Sequence, residues 1–127
     1  MKVDVPLGDV VDRVTIDRIK EARIGDAQRL LHVRNELSAL VGAWAEAGLP
    51  EMTTLDDYDA LARVNQQLWD VEDGLRELEA QQDFGSRFVE LARSVYKLND
   101  RRAALKRAIN LALGSELVEV KSYAGSA

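Results

Sequence analysis

The sequence predicts an all-α fold, an up-down antiparallel four-helix bundle, on three observations. Apolar side chains recur at helical spacing in four long segments. Short turns carrying glycine, proline or aspartate separate those segments, and short connections make consecutive helices antiparallel neighbours. The chain has 127 residues, 46% hydrophobic and 31% charged, enough for a single helical domain over residues 1–127 with its own core.

Residues 1–7 alternate apolar and polar side chains up to Pro6 and read as a short strand or extended arm. A first helix is expected from about Asp9 to Ile24, capped by Gly8 or Asp9 and closed at Gly25-Asp26. A second runs from about Asp26 to Ala47, with Leu30, Val33, Leu37, Leu40, Val41 and Trp44 on one face. Gly48, followed by Pro50, ends it. Thr54 with Asp57 resembles a capping arrangement for the third helix, whose face is Leu61, Val64, Leu68, Val71, Leu75 and Leu78. Gly74 interrupts that helix at a cost of about 1 kcal/mol relative to alanine, and such a glycine suits either close approach of another helix or simple tolerance. The turn Asp83-Phe84-Gly85 leaves Ser86 as cap of a fourth helix reaching about Leu113, where Gly114-Ser115 stops it. Residues 117–123 alternate again. They suit a terminal β-ribbon with residues 2–5, a helical continuation, or an arm onto a second subunit, and Ala124–Ala127 read as a loose tail.

Charge excludes several functions. The net charge of −5 argues against a general nucleic-acid binder. No stretch approaches the roughly 18–20 apolar residues of a membrane span, so no membrane insertion is expected. The N-terminal segment has no signal-peptide core, and the absence of cysteine is compatible with a cytoplasmic setting. Residues 49–85 carry two basic and ten acidic side chains, a balance of −8; residues 86–107 carry seven basic and two acidic, a balance of +5. Helices of opposite sign attract when they fold back on one another, and a basic surface for an acidic partner is the alternative.

Two arginines stand where apolar side chains are expected. At about 100° per residue, Arg102 centres the stripe of Leu91, Val95, Leu98, Leu105 and Ile109, and Arg18 centres that of Leu7, Val10, Val11, Val14 and Ala22. A guanidinium keeps its charge, so burying one requires a carboxylate, carbonyls or a bound anion. With the last turn centred near residue 84, positions of the third and fourth helices that sum to roughly 167 face each other. Arg102 then faces Asn65, Asn99 faces Leu68 and Val95 faces Glu72. Tyr58, Trp69 and Arg76 flank the third stripe, and Lys106 flanks the fourth.

A polar layer of Arg18, Asn65, Glu72, Asn99, Arg102 and Lys106 admits two readings. In one, Arg102 pairs with Glu72, Arg18 finds another carboxylate or a helix C-terminus, and both fix the register. In the other, these groups form a pocket for an anionic small molecule, a phosphate or carboxylate. Asp9/Asp12 and Asp70/Asp73, the latter with Glu72 between, are carboxylate pairs able to hold Mg²⁺. They lack the paired ExxE and ExxD elements of helical nucleotide pyrophosphohydrolases, and Asp9 and Asp12 also suit a helix dipole. No metal or cofactor is therefore assigned. His32 lies opposite its helix's apolar face, without a second histidine or cysteine to make a zinc site or triad. Phosphate-loop and nucleophile-elbow motifs are absent. Trp44 and Trp69 read as core or interface anchors.

The segments LGDVVDRVTIDRIKEARI (7–24), VRNELSAL (33–40), VNQQLWDVED (64–73) and LNDRRAALKRAINLALGSELVEVKSY (98–123) resemble a family of small uncharacterised bacterial proteins, about 130 residues long. The resemblance implies a compact helical fold and carries over no catalytic residue. Asn65, Leu68, Trp69, Glu72, Asp73, Asn99 and Asp100 also resemble a second uncharacterised helical family. Both resemblances imply a setting beside surface-polysaccharide glycosyl transfer. The expected function is a non-enzymatic binding or assembly protein, a homodimer. The alternative is a small enzyme that holds a phosphorylated or carboxylated metabolite with Arg18, Arg102 and Lys106 and uses Glu72 or Asp73 for acid–base or Mg²⁺ chemistry.

Overall fold

The computed structural model describes residues 3–114. Four α-helices follow in order: α1 (Leu7–Arg23), α2 (Ala27–Glu46), α3 (Tyr58–Ala80) and α4 (Ser86–Ala112), with a 3₁₀ turn at Met52–Thr54 before α3. The helices pack as a bundle, and the described residues contain no strand. Residues 3–5 of the expected ribbon are irregular; residue 2, residues 117–123 and the tail Ala124–Ala127 lie outside the described residues.

Helix ends follow local chemistry with three corrections. Pro6, not Gly8 or Asp9, precedes the first turn of α1, and proline has no capping side chain. The N–H of Gly8 instead donates to Oδ1 of Asn110 on α4 at 2.6 Å, so a distant helix serves a first-turn donor left open by the fold. Thr54 caps nothing on α3: its hydroxyl donates to the carbonyl of Glu51 at 2.6 Å and closes the 3₁₀ turn. Gly85 precedes α4, with no side-chain cap from Ser86. Asp26 does cap α2, accepting from the Arg29 N–H at 3.3 Å. Gly48 and Gly114 end α2 and α4 at φ of 72° and 66°, the left-handed conformation glycine adopts without strain.

Helix α1 is the hub: it packs against α2, α3 and α4, while α3 and α4 pack closely along each other. Its neighbours bury Val11, Val14, Asp12, Thr15 and Asp17 on several sides of one helix. The apolar core joins Val11 and Val14 to Leu37, Trp44, Met52, Leu61 and Ile109. Gly8 lets α1 approach the α4 backbone, because a Cβ there would collide with the Lys106 carbonyl. Gly74 plays a milder version of this part, with an added Cβ 3.0 Å from Leu91 Cδ1.

The hairpin of α3 and α4 outruns its support. Seventeen residues make α1 about 25 Å long, whereas the 27 of α4 span about 40 Å. Arg23, the last residue of α1, reaches Asp70 at 2.6 Å and lies over the Trp69 ring, which marks where α1 stops. Below that level Leu61, Val64, Leu68 and Ile109 are buried; beyond it Val71, Leu75, Leu78, Leu91, Val95 and Leu98 are only half-buried.

Candidate functional site

The buried centre of the polar layer is Asp12, 5% exposed on α1. Arg102 of α4 grips it with both prongs: Nε donates to Oδ1 at 2.8 Å and Nη2 to Oδ2 at 2.6 Å. Asn65 of α3 donates through Nδ2 to Asp12 Oδ1 at 2.9 Å and to Thr15 Oγ1 at 2.8 Å. The Thr15 hydroxyl donates in turn to the Asp12 carbonyl at 2.7 Å. One carboxylate thereby ties three helices, and both amide hydrogens of Asn65 are used. Burial is the largest influence on Asp12 and pushes its carboxyl upward. Bonds from Arg102 and Asn65 and the charges of Arg102 and Lys106 together outweigh it, so the group sits below the usual carboxylate range.

Beside this clasp, Lys106 Nζ lies 3.1 Å from Asp9 Oδ1. Asn99 Oδ1 is 3.5 Å from Arg102 Nη1. A shallow cleft of about 170 Å³ is lined by Asn99, Arg102, Ala103 and Lys106. Asn99, Arg102 and Lys106 thus share one face of α4, and Asn65 meets Arg102 across the hairpin through Asp12.

Glu72 and Arg18 do not join them. Glu72 is 51% exposed and lies 3.9 Å from Arg76, one turn along its own helix. Arg102 therefore pairs with Asp12, not with Glu72. Arg18 is exposed and forms no ion pair among the described residues. It leaves α1 about 120° around the helix from Asp12, toward α2 and the start of α3. There it lines clefts with Trp44 and Tyr58 rather than with Arg102.

A second polar group links α1 to α2. Asp17 is 1% exposed, and its Oδ2 has no hydrogen-bond partner. Burial, then a hydrogen bond with Glu36 and the charge of Glu36, push its carboxyl up to about 6. Arg13 donates to Glu36 through Nε at 2.7 Å and, with the Asp17 bond, holds Glu36 below its ordinary range. Arg13 thus stabilises the Glu36 carboxylate, while burial beside it raises the Asp17 carboxyl.

Sequence reasoning missed both aspartates because it gave α1 a single apolar face. Asp12 had been ascribed to the helix dipole, yet only Asp9 lies in the first turn. The available signal was Arg102 itself, which required a carboxylate once its stripe was recognised. Among the described residues, no three His, Cys, Asp or Glu side chains are placed to hold a metal ion. Asp12, Asp70 and Asp73 instead meet Arg102, Arg23 and Arg76. His32 is exposed, Trp44 is buried, and Trp69 is half-buried. No helix among the described residues is long and apolar enough to cross a membrane.

A family model described as "Family of unknown function (DUF6165)" matches residues 1–127, and the chain belongs to that family. Comparison with curated proteins and with solved structures finds no match.

Proposed function

We propose that this chain is a non-enzymatic helical assembly protein that works as a homodimer, joined through the α3–α4 hairpin beyond Asp70. The observation that carries the reading is the overhang. From Val71 to Leu98 the hairpin keeps a regular apolar seam, but among the described residues no third helix covers it and none of its apolar residues is buried. Isolated two-helix hairpins have little core, so covering this seam lowers the free energy of the whole arm.

Charge favours a second copy as the cover. Helix α3 carries six acidic and two basic side chains, a balance of −4, and α4 carries seven basic and two acidic, a balance of +5. An identical hairpin offers both signs and an apolar seam of the same period. A uniformly charged partner would be attracted by one helix and repelled by the other. The grouping of Arg102 with Asp12 supports a structural rather than catalytic use of the polar layer.

Sedimentation at micromolar concentration tests this reading. A dimer is expected for the wild type, with V95E, on the seam itself, shifted to monomer at unchanged helical content. A wild type that stays monomeric refutes it. The rival enzymatic reading rests on the cleft at Asn99, Arg102 and Lys106. It gains support only if phosphorylated or carboxylated metabolites raise the melting temperature. A place beside surface-polysaccharide synthesis rests on resemblance, and unchanged surface glycans in a deletion strain count against it.

A further inference from the structure

Two clefts, of about 200 and 280 Å³, meet at Arg18 and Tyr58; the first is lined by no member of the Asp12 clasp, the second reaches Thr15. The first lies between α1, the end of α2 and the 3₁₀ turn; the second follows α1 along α3. We propose that the first cleft binds a small organic monocarboxylate, with its apolar body against Trp44 and Met52 and its carboxylate held by Arg18.

The apolar walls are built rather than incidental. Val14, Trp44 and Met52 are 1%, 6% and 8% exposed and belong to the core cluster. The Trp44 indole N–H donates to the Pro50 carbonyl at 2.6 Å, which fixes the ring against the loop that carries Met52. A rigid aromatic wall loses little conformational freedom when a ligand body packs on it.

Arg18 supplies the polar end. Of the three arginines on α1, Arg13 and Arg23 hold Glu36 and Asp70, whereas Arg18 holds no carboxylate among the described residues. Its planar fork matches a carboxylate in two parallel hydrogen bonds, and the apolar walls lower the local dielectric at one side of that contact. Glu51 also lines this cleft and forms no ion pair with Arg18 within the described residues. Its negative charge leaves room for one anionic group and repels a second, which selects a monoanion over a phosphate dianion. The cleft's size suits a single ring or short acyl chain rather than a nucleotide.

The proposal is independent of dimerisation. The test is a ¹H–¹⁵N NMR titration of the full chain with phenylacetate, neutral 2-phenylethanol and phenyl phosphate as probes. The two tryptophan indole N–H signals act as internal reporters. Phenylacetate is expected to move the Trp44 signal saturably and leave Trp69 unchanged. Binding of 2-phenylethanol, and of phenylacetate to R18Q, is expected to be about tenfold weaker, the factor carried by one charge-assisted contact. Because Arg18 is exposed and forms no ion pair among the described residues, R18Q should keep the wild-type spectrum elsewhere. No saturable shift at Trp44, equal binding to R18Q, or tighter binding of phenyl phosphate overturns the proposal.

Discussion

Replacing Arg102 with methionine tests the clasp most directly. The change keeps an unbranched apolar stem in the α4 stripe but removes both donors to a carboxylate that is 7% exposed at its side chain. Removing one partner of a buried ion pair costs about 3–5 kcal/mol. The Arg102 side chain is itself 30% exposed, so water reaches part of the vacated space, and the lower figure of about 3 kcal/mol is expected. For a chain of this size that lowers Tm by roughly 10 °C. Adding Asp12→Asn should recover part of the loss, because the uncompensated charge disappears while Asn65 and Thr15 remain.

The pH dependence gives a sharper readout. In the wild type, Asp12 sits below its unfolded value of 3.8. Its contribution is present above that value and is lost as pH falls through the lower folded one. In Arg102→Met, burial is opposed only by the Asn65 bond and the Lys106 charge, so the folded pKa rises from its wild-type position. The loss of stability on acidification is then smaller than in the wild type, and D12N/R102M shows no contribution from this group. Urea unfolding from pH 3 to 7 measures all three. A loss under about 1 kcal/mol with the wild-type slope retained would refute the buried-clasp reasoning.

Other substitutions probe separate features. Asp17 has a folded value of about 6 against 3.8 unfolded, so the native state keeps a proton that the unfolded chain releases between them. Stability from this group falls as pH rises through that window, by up to about 3 kcal/mol. Asp17→Asn should flatten the window and raise the urea midpoint at pH 7; an unchanged slope contradicts the assignment. Gly8→Ala drives a methyl into the Lys106 carbonyl and to 2.9 Å from Asn110 Oδ1, and should cost about 1–3 kcal/mol by thermal unfolding. Gly74→Ala meets only the flexible end of half-buried Leu91. The helix-propensity gain of about 1 kcal/mol should outweigh that contact, leaving Tm slightly raised.

What the sequence made legible follows from periodicity. Turn residues and apolar spacing placed four helices within a few residues of their ends, and the hairpin register put Asn65 opposite Arg102, where both meet Asp12. A period of 3.6 identifies one buried face. It fails for α1, whose three helical neighbours bury Asp12, Thr15 and Asp17 together with Val11 and Val14. Arg18 was misplaced for the same reason: the stripe it centred lies toward α2 and α3, not toward Arg102. Glu72 was chosen because it was the nearest carboxylate on the facing helix, whereas the actual partner came from a helix 90 positions earlier.

The polar clasp also explains why the two halves of the hairpin differ. Sliding α4 by one turn along α1 brings either Leu98 or Lys106 opposite Asp12. Leucine leaves a buried carboxylate unpaired, and lysine gives up the two-pronged grip and abandons Asp9. Each slip therefore costs more than apolar packing alone would impose, so register is settled where α1, α3 and α4 meet. Beyond Asp70 the seam uses aliphatic side chains without a buried polar group to define one partner arrangement. With register secured at its base, that arm can present a regular apolar surface without slipping on itself, the property an assembly surface requires.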